Sequence, residues 1–233
     1  MHDPGLPDRG AIRPHRSTAP LGGLDVWFER EVQPRLRGVA FLVRYADDFV
    51  IVCAREDDAR RVLDVLPKRF GRYGLTLHPE KTRLVPFVRP RPRGGGDGED
   101  GPGTFDLLGF THHWAQSRKG AWVVKRKTAK SWFTRAVRSI TAWCRFNRHR
   151  PVAEQHKVLG QKLRNHCGYY GITGNAEALA RFSYELVKAW WKLLNRRSQR
   201  SSMRWEVFLA MLKRNPLPPP RAVHSVLRAA ANP

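Results

Sequence analysis

The chain has 233 residues and is 41% hydrophobic, with 8 Trp, 11 Phe and 5 Tyr, enough apolar material for a real core, which excludes a wholly disordered basic tail. Its 43 Lys and Arg against 20 Asp and Glu leave a net charge of +23. No apolar run approaches the roughly 18 residues of a membrane span, and the first residues lack the apolar segment of a secretory signal.

Residues 1–23 read as an irregular leader of Gly, Pro, His and Arg. A short amphipathic helix follows, with Leu24, Trp27, Phe28 and Val32 on one side and Pro34 as its end. Gly38–Ala54 reads as two strands rich in β-branched and aromatic residues, a hairpin with Asp47 and Asp48 at or near its turn. Glu56, Asp57 and Asp58 open a helix at the positive end of its dipole, with Ala59, Val62, Leu63, Leu66, Phe70 and Tyr73 as its apolar face. Pro67 predicts a kink in it or a split into two shorter helices. Residues 75–87 look extended, and 89–103 form a Pro/Gly-rich linker. A second strand pair lies in 104–126, joined by the turn-like Ser117–Gly120. The region 127–233 is helical. Its apolar stripes are Trp132, Phe133, Val137, Ile140, Trp143 and Cys144; then Leu159, Leu163, Tyr169 and Tyr170; then Leu179, Phe182, Leu186, Val187, Trp190, Trp191 and Leu194; then Trp205, Phe208, Leu209 and Leu212. The expected fold class is α+β: a partial antiparallel sheet with a packed helix, followed by a helical bundle.

The charge is uneven. Residues 1–116 carry 18 basic and 16 acidic side chains, a net of +2; residues 117–233 carry 25 basic side chains and four Glu, a net of +21. Such a field attracts a polyanion, most commonly nucleic acid. Arg118, Lys119, Lys125, Arg126, Lys127 and Lys130 surround the second hairpin, and Arg196, Arg197, Arg200 and Arg204 form another cluster, as candidates for RNA backbone contacts. The Trp residues have helical spacing and read as core rather than base-stacking platforms.

Asp47 and Asp48 are the sharpest chemical feature. Adjacent carboxylates repel unless a cation compensates, and oxygen-rich clusters suit Mg²⁺. A metal pair supports nucleotidyl transfer by activating a hydroxyl and stabilising the leaving pyrophosphate. An ordinary exposed Asp-Asp turn is the competing reading. Cys53, Cys144 and Cys167 lie far apart and make neither a disulfide framework nor a zinc site, so a reducing, cytoplasmic compartment is expected. His112-His113 and His166-Cys167 lack a second pair at ligand spacing and read as packing.

The run Arg44–Val50, RYADDFV, resembles the Tyr-Xaa-Asp-Asp signature of reverse transcriptases. The wider run 40–85 is similar to the palm of group II intron-type reverse transcriptases/maturases. Leu77–Thr82 resembles that family's next motif, Leu107–Phe110 its primer-grip Leu-Gly-Phe, and 162–172, 190–199 and 216–225 its thumb and maturase X region. The similarity spans about residues 24–228, with 24–88 as partial palm, 104–126 as primer-grip hairpin and 127–233 as thumb/maturase region. It implies a mobile-element RNA-directed DNA polymerase that uses two Mg²⁺ held in part by Asp47 and Asp48, with structured intron RNA and RNA/DNA primer-template as partners. Tyr45 would stand near the primer end or incoming nucleotide, or pack in the core. Lys81 would meet triphosphate oxygens, or is a surface lysine. Gly109 and Phe110 would shape a turn against the primer backbone, or form a buried strand.

The chain departs from that family before the Asp-Asp hairpin. No first palm half with its own metal-binding Asp, and no Pro-Gln-Gly segment, stands in 1–23. Asp3 and Asp8 lie in irregular sequence, and Asp25 on a helix face. The two-metal site is therefore expected to be incomplete, and the chain to be a truncated or split segment that needs a complementing N-terminal piece. Two alternatives stay open: a non-catalytic RNA-binding splicing factor, and a general basic nucleic-acid-binding protein.

Overall fold

The computed structural model describes residues 18–90, 103–117, 119–197 and 202–224, with side chains from residue 23 onward. The chain divides into two compact units, Met1–Phe87 and Val88–Pro233. The secondary structure is α+β: six α-helices and two small antiparallel sheets among the described residues.

In the first unit, α1 runs Thr18–Trp27, earlier than the irregular leader over 1–23 would allow. Thr18 and Pro20 lie in its first turn, where a missing N–H costs little, and Leu24, Trp27 and Phe28 bury the far end. The helix loosens into a π turn, Phe28–Val32, and a 3₁₀ turn, Gln33–Arg35, that holds Pro34. Strands β1 (Ala40–Tyr45) and β2 (Asp48–Cys53) pair antiparallel from Ala40↔Cys53 to Tyr45↔Asp48. Alternation sends Ala40, Leu42, Phe49, Ile51 and Cys53 into a core with Leu24, Trp27, Phe28, Val62, Leu66 and Phe70. Phe41, Val43, Tyr45 and Val52 lie on the other face, each more than half exposed. Tyr45 is thus no core residue of this unit.

Helix α2 (Glu56–Gly71) runs continuously through Pro67, without the expected split. Its buried residues are Asp58, Val62, Leu66 and Phe70; Tyr73, expected on the apolar face, lies past the helix end and is exposed. Asp58 takes a core place because its carboxylate accepts the backbone N–H groups of Arg37 (3.1 Å) and Gly38 (2.8 Å). Burial pushes its pKa up, but those two N–H groups and the nearby Arg61 and Arg55 outweigh it and hold the carboxyl below its ordinary value. Residues 75–90 form no strand; within them Lys81 and Thr82 donate their N–H groups to the His78 carbonyl, closing a turn.

In the second unit, β3 (Phe105–Leu107), β4 (Phe110–Gln116) and β5 (Trp122–Thr128) form a sheet in that order. The expected strand pair is therefore three strands, because Leu108-Gly109 reverses the chain, and the last strand runs two residues past 126. Four helices follow: α3 (Lys130–Phe146), α4 (Val152–Tyr170), α5 (Ala176–Leu194) and α6 (Trp205–Arg214). Their core centres on Leu159, Leu163, Leu179, Phe182, Leu186, Trp190 and Phe208. Trp132, Tyr169 and Leu209, expected on apolar stripes, are exposed.

Two buried amides fix this unit. Asn175 accepts the Thr128 N–H (3.0 Å) and donates to Thr128 Oγ1 (2.9 Å) and to the Tyr170 carbonyl (2.8 Å), joining β5 to the α4–α5 junction. Gln155 accepts from Trp190 Nε1 (2.8 Å) and donates to carbonyls of Asn147, Arg148 and Arg150, which shapes the α3–α4 loop. The histidines singled out for packing do pack: His112 stacks on Phe105 at 4.7 Å and His166 on Phe182 at 3.7 Å.

Candidate functional site

The β1–β2 hairpin turns on two residues, Ala46 and Asp47, closed by the Tyr45↔Asp48 pair. Ala46 has a φ of 51°, a left-handed conformation that glycine would adopt without strain. Asp47 stands in the turn and Asp48 opens β2; both are exposed, as is Tyr45 on the same sheet face as Asp48. The expected hairpin with its paired carboxylates is present.

The turn has a tether that sequence reasoning missed. Arg44 donates from Nη1 to the Ala46 carbonyl (3.2 Å) and from Nε and Nη2 to the Asp25 carboxylate (3.1 and 2.5 Å). The Arg44 hydrogen bonds hold the Asp25 carboxyl below its ordinary value, and the Asp25 hydrogen bonds raise Arg44 in return, with a smaller contribution from the Asp47 charge. Asp25 is thereby committed to Arg44 and is no third member of the Asp47–Asp48 group. One signal was available: Arg44 alternates with the in-facing Leu42, so it had to meet a partner on the core side.

Lys81 is exposed in the His78–Thr82 turn; among the described residues no hydrogen bond or ion pair joins it to Asp47 or Asp48. No group of three or more His, Cys, Asp or Glu among the described residues could hold a metal. The donor chemistry of Asp47 and Asp48 suits a hard cation such as Mg²⁺, but two carboxylates are only part of a two-metal donor set.

In the second unit, Leu108 (φ 51°) and Gly109 (φ 77°) form a two-residue turn with both φ values positive, the pattern that matches strand twist in hairpins. Both turn carbonyls are held: Tyr169 Oη donates to Leu108 (3.0 Å) and the Ala129 N–H to Gly109 (2.9 Å). A Cβ on Gly109 would lie 2.9 Å from Tyr170 Oη and 3.5 Å from the Trp132 ring, so glycine is required by space as well as by φ. Phe110 is buried against Tyr169 and Tyr170. Gly109 thus lies in a turn, and Phe110 is the buried first residue of the strand that follows it. Trp132 and Tyr169 flank this turn exposed, and the Arg135 guanidinium lies 4.6 Å from the Trp132 ring centroid. These three residues were missed as surface because helical spacing placed two of them on core stripes.

The basic candidates divide. Lys119, Lys130, Arg196 and Arg204 are exposed. Strand alternation puts Lys125 and Lys127 on one face of β5 and Arg126 on the other, opposite His112, so these three are not one patch. Lys125 Nζ also donates to the Gln116 carbonyl at 2.7 Å. Arg197 donates to the Arg148 and Arg150 carbonyls and serves the α3–α4 loop, whose carbonyls lie outside both helices and also accept from Gln155. Arg118 and Arg200 lie outside the described residues. Helix α3 contains no acid, and its exposed Arg135 and Arg138 add positive charge that the two sequence clusters omit.

The family model of the reverse transcriptase (RNA-dependent DNA polymerase) matches residues 27–163, more than half of the chain. The chain belongs to the reverse transcriptase family. No curated protein matches it. The reverse transcriptase match takes in the Asp47–Asp48 hairpin, the Leu108-Gly109 turn and α3. Membership carries an RNA-directed DNA polymerase-like function and nucleic-acid partners, and reverse transcriptase domains generally use divalent metals. Among the described residues no helix is long and apolar enough to cross a membrane.

Proposed function

We propose that the chain is the second palm half and thumb of a group II intron-type reverse transcriptase/maturase. It binds structured intron RNA and RNA/DNA primer-template through its basic half, and it synthesises DNA only when a complementing polypeptide supplies a further carboxylate. The observation that carries this reading is the exposed Asp47–Asp48 pair on a two-residue hairpin turn, with Asp25, the other aspartate tied to that turn, already bound to Arg44. Asp47 and Asp48 would hold Mg²⁺, whose chemistry is to polarise the primer hydroxyl and the leaving phosphate oxygens. Tyr45 shares the sheet face of Asp48 and lines the approach to it; the Leu108-Gly109 turn presents a fixed backbone to the primer. Lys81 supplies a mobile cation for triphosphate oxygens. That no further carboxylate joins Asp47 and Asp48 among the described residues also supports a second reading, an RNA-binding splicing factor in which Asp47 and Asp48 are idle.

Primer extension on an RNA template tests the first reading. The chain alone should give no Mg²⁺-dependent product, and addition of a palm fragment bearing the missing carboxylate should restore synthesis. Robust synthesis by the chain alone would remove the need for a complement. Splicing assistance unchanged by Asp47→Ala, with no synthesis under any complement, would favour the splicing factor. Equal affinity for duplex DNA and intron RNA across a salt series would leave only a general basic binder.

A further inference from the structure

The near-neutral first half of the sequence conceals a local concentration of positive charge. A groove of about 280 Å³ runs between α2 and the segment after α1, within the first unit. Arg35, Arg61, Lys68, Arg69 and Arg72 line it, against Glu31 alone of the acids. Its floor is apolar, with Trp27 and Val62 almost fully buried and Val65 half-exposed beside them. Positions 61, 65 and 68 of α2 and the αR C-cap residue Arg72 recur at four, three and four residues, so they follow one helical stripe.

Arg61 pairs with the buried Asp58 at 3.9 Å, whereas Arg35, Lys68 and Arg72 make no ion pair among the described residues. The Arg69 guanidinium carbon lies near two ring faces, 5.4 Å from the Trp27 centroid and 5.1 Å from that of Tyr73, which restrains its position.

We propose that this groove is a second RNA-binding site, one that takes a single-stranded segment. Its phosphates pair with Lys68, Arg72 and Arg35, and one unstacked base lies over the apolar floor. The volume falls just below the range of drug-sized ligand pockets, so it suits one flat group rather than a whole cofactor. Aromatic and apolar floors rimmed by cations are the means by which proteins hold splayed bases of loops and bulges. An acidic amphipathic peptide shares part of this chemistry, but the cluster of guanidinium groups favours phosphate, which Arg binds in a bidentate fork. The site depends on the chain having a nucleic-acid partner and not on the intron reading, so a chain without preference for intron RNA would still bind a single strand here.

A short oligouridylate carrying 4-thiouridine, applied to the full chain, tests the proposal. Cross-links should map to the segment Val62–Tyr73, the end of α2 and the residues that follow it. The double variant Lys68→Gln/Arg72→Gln should lose those cross-links and weaken binding on the order of tenfold. Its slope of log affinity against log salt should shrink by about 1.4, the value for two single-strand phosphates. Lys68→Arg/Arg72→Lys should retain the cross-links. Both side chains are exposed, so the thermal midpoint of each variant should stay at that of the parent. Cross-links confined to the second unit, or a salt slope unmoved in the Gln variant, would overturn the proposal. So would an acidic Glu/Leu peptide that occupies the groove where oligouridylate does not.

Discussion

Two hairpin turns hold the candidate site residues, and they are built in opposite ways. The Ala46-Asp47 turn is exposed, has a non-glycine residue in a left-handed conformation, and is tethered through Arg44 and Asp25. The Leu108-Gly109 turn has both carbonyls hydrogen-bonded and glycine enclosed by Tyr170 and Trp132. The first leaves its side chains open to solvent; the second has its backbone held at both carbonyls. A turn that offers carboxylates must leave them open to solvent and metal, whereas one that positions a strand gains from being over-determined.

The comparison breaks most visibly at Asp47. In a complemented extension assay, Asp47→Ala should reduce synthesis by about a thousandfold while RNA affinity stays within about twofold, since the proposed role of this carboxylate is to hold a metal and not to contact the RNA backbone. Parallel loss of both would mean that this turn serves binding instead.

His166 sharpens the contrast on the side of the second turn, since its ring packs against Tyr170, which encloses Gly109. Burial pushes His166 down to about 4. Its folded pKa lies below the unfolded value near 6.5, so the stability it allows is full above about pH 6.5. That stability should fall as pH drops towards about 4, by roughly 2–3 kcal/mol. Urea melts across that window should show the decline, and His166→Phe should flatten it. Gly109→Ala comes next, at about 2 kcal/mol, because the new Cβ meets Tyr170 Oη and the left-handed φ is kept; a chemical melt checks it. Ala46→Gly should do the reverse at the other turn, stabilising by up to about 1 kcal/mol through relief of the positive φ. Equal effects of these two substitutions would erase the distinction between the turns.

The hairpin and its paired carboxylates were legible because β-branched alternation on both arms leaves a single place for the reversal. The four helices and most of their buried faces were legible from 3.6-residue spacing. The Leu108-Gly109 turn was less so, since leucine at a positive φ is not turn chemistry, and the hydrogen bonds that hold its carbonyls come from Tyr169, sixty-one residues away, and from Ala129. Trp132 and Tyr169 lie at stripe edges, where periodicity cannot separate core from rim. The basic residues around the second hairpin were legible as a group but not by face: strand alternation sends Arg126 to the side opposite Lys125 and Lys127.

The account turns on Asp47 and Asp48 acting together on a divalent cation. Titration of the chain with Mn²⁺, followed by paramagnetic broadening of backbone amide signals, tests this without requiring catalysis. The account predicts broadening centred on Ala46–Phe49 that disappears in Asp47→Asn/Asp48→Asn. Broadening elsewhere, or broadening that survives the double substitution, would contradict it.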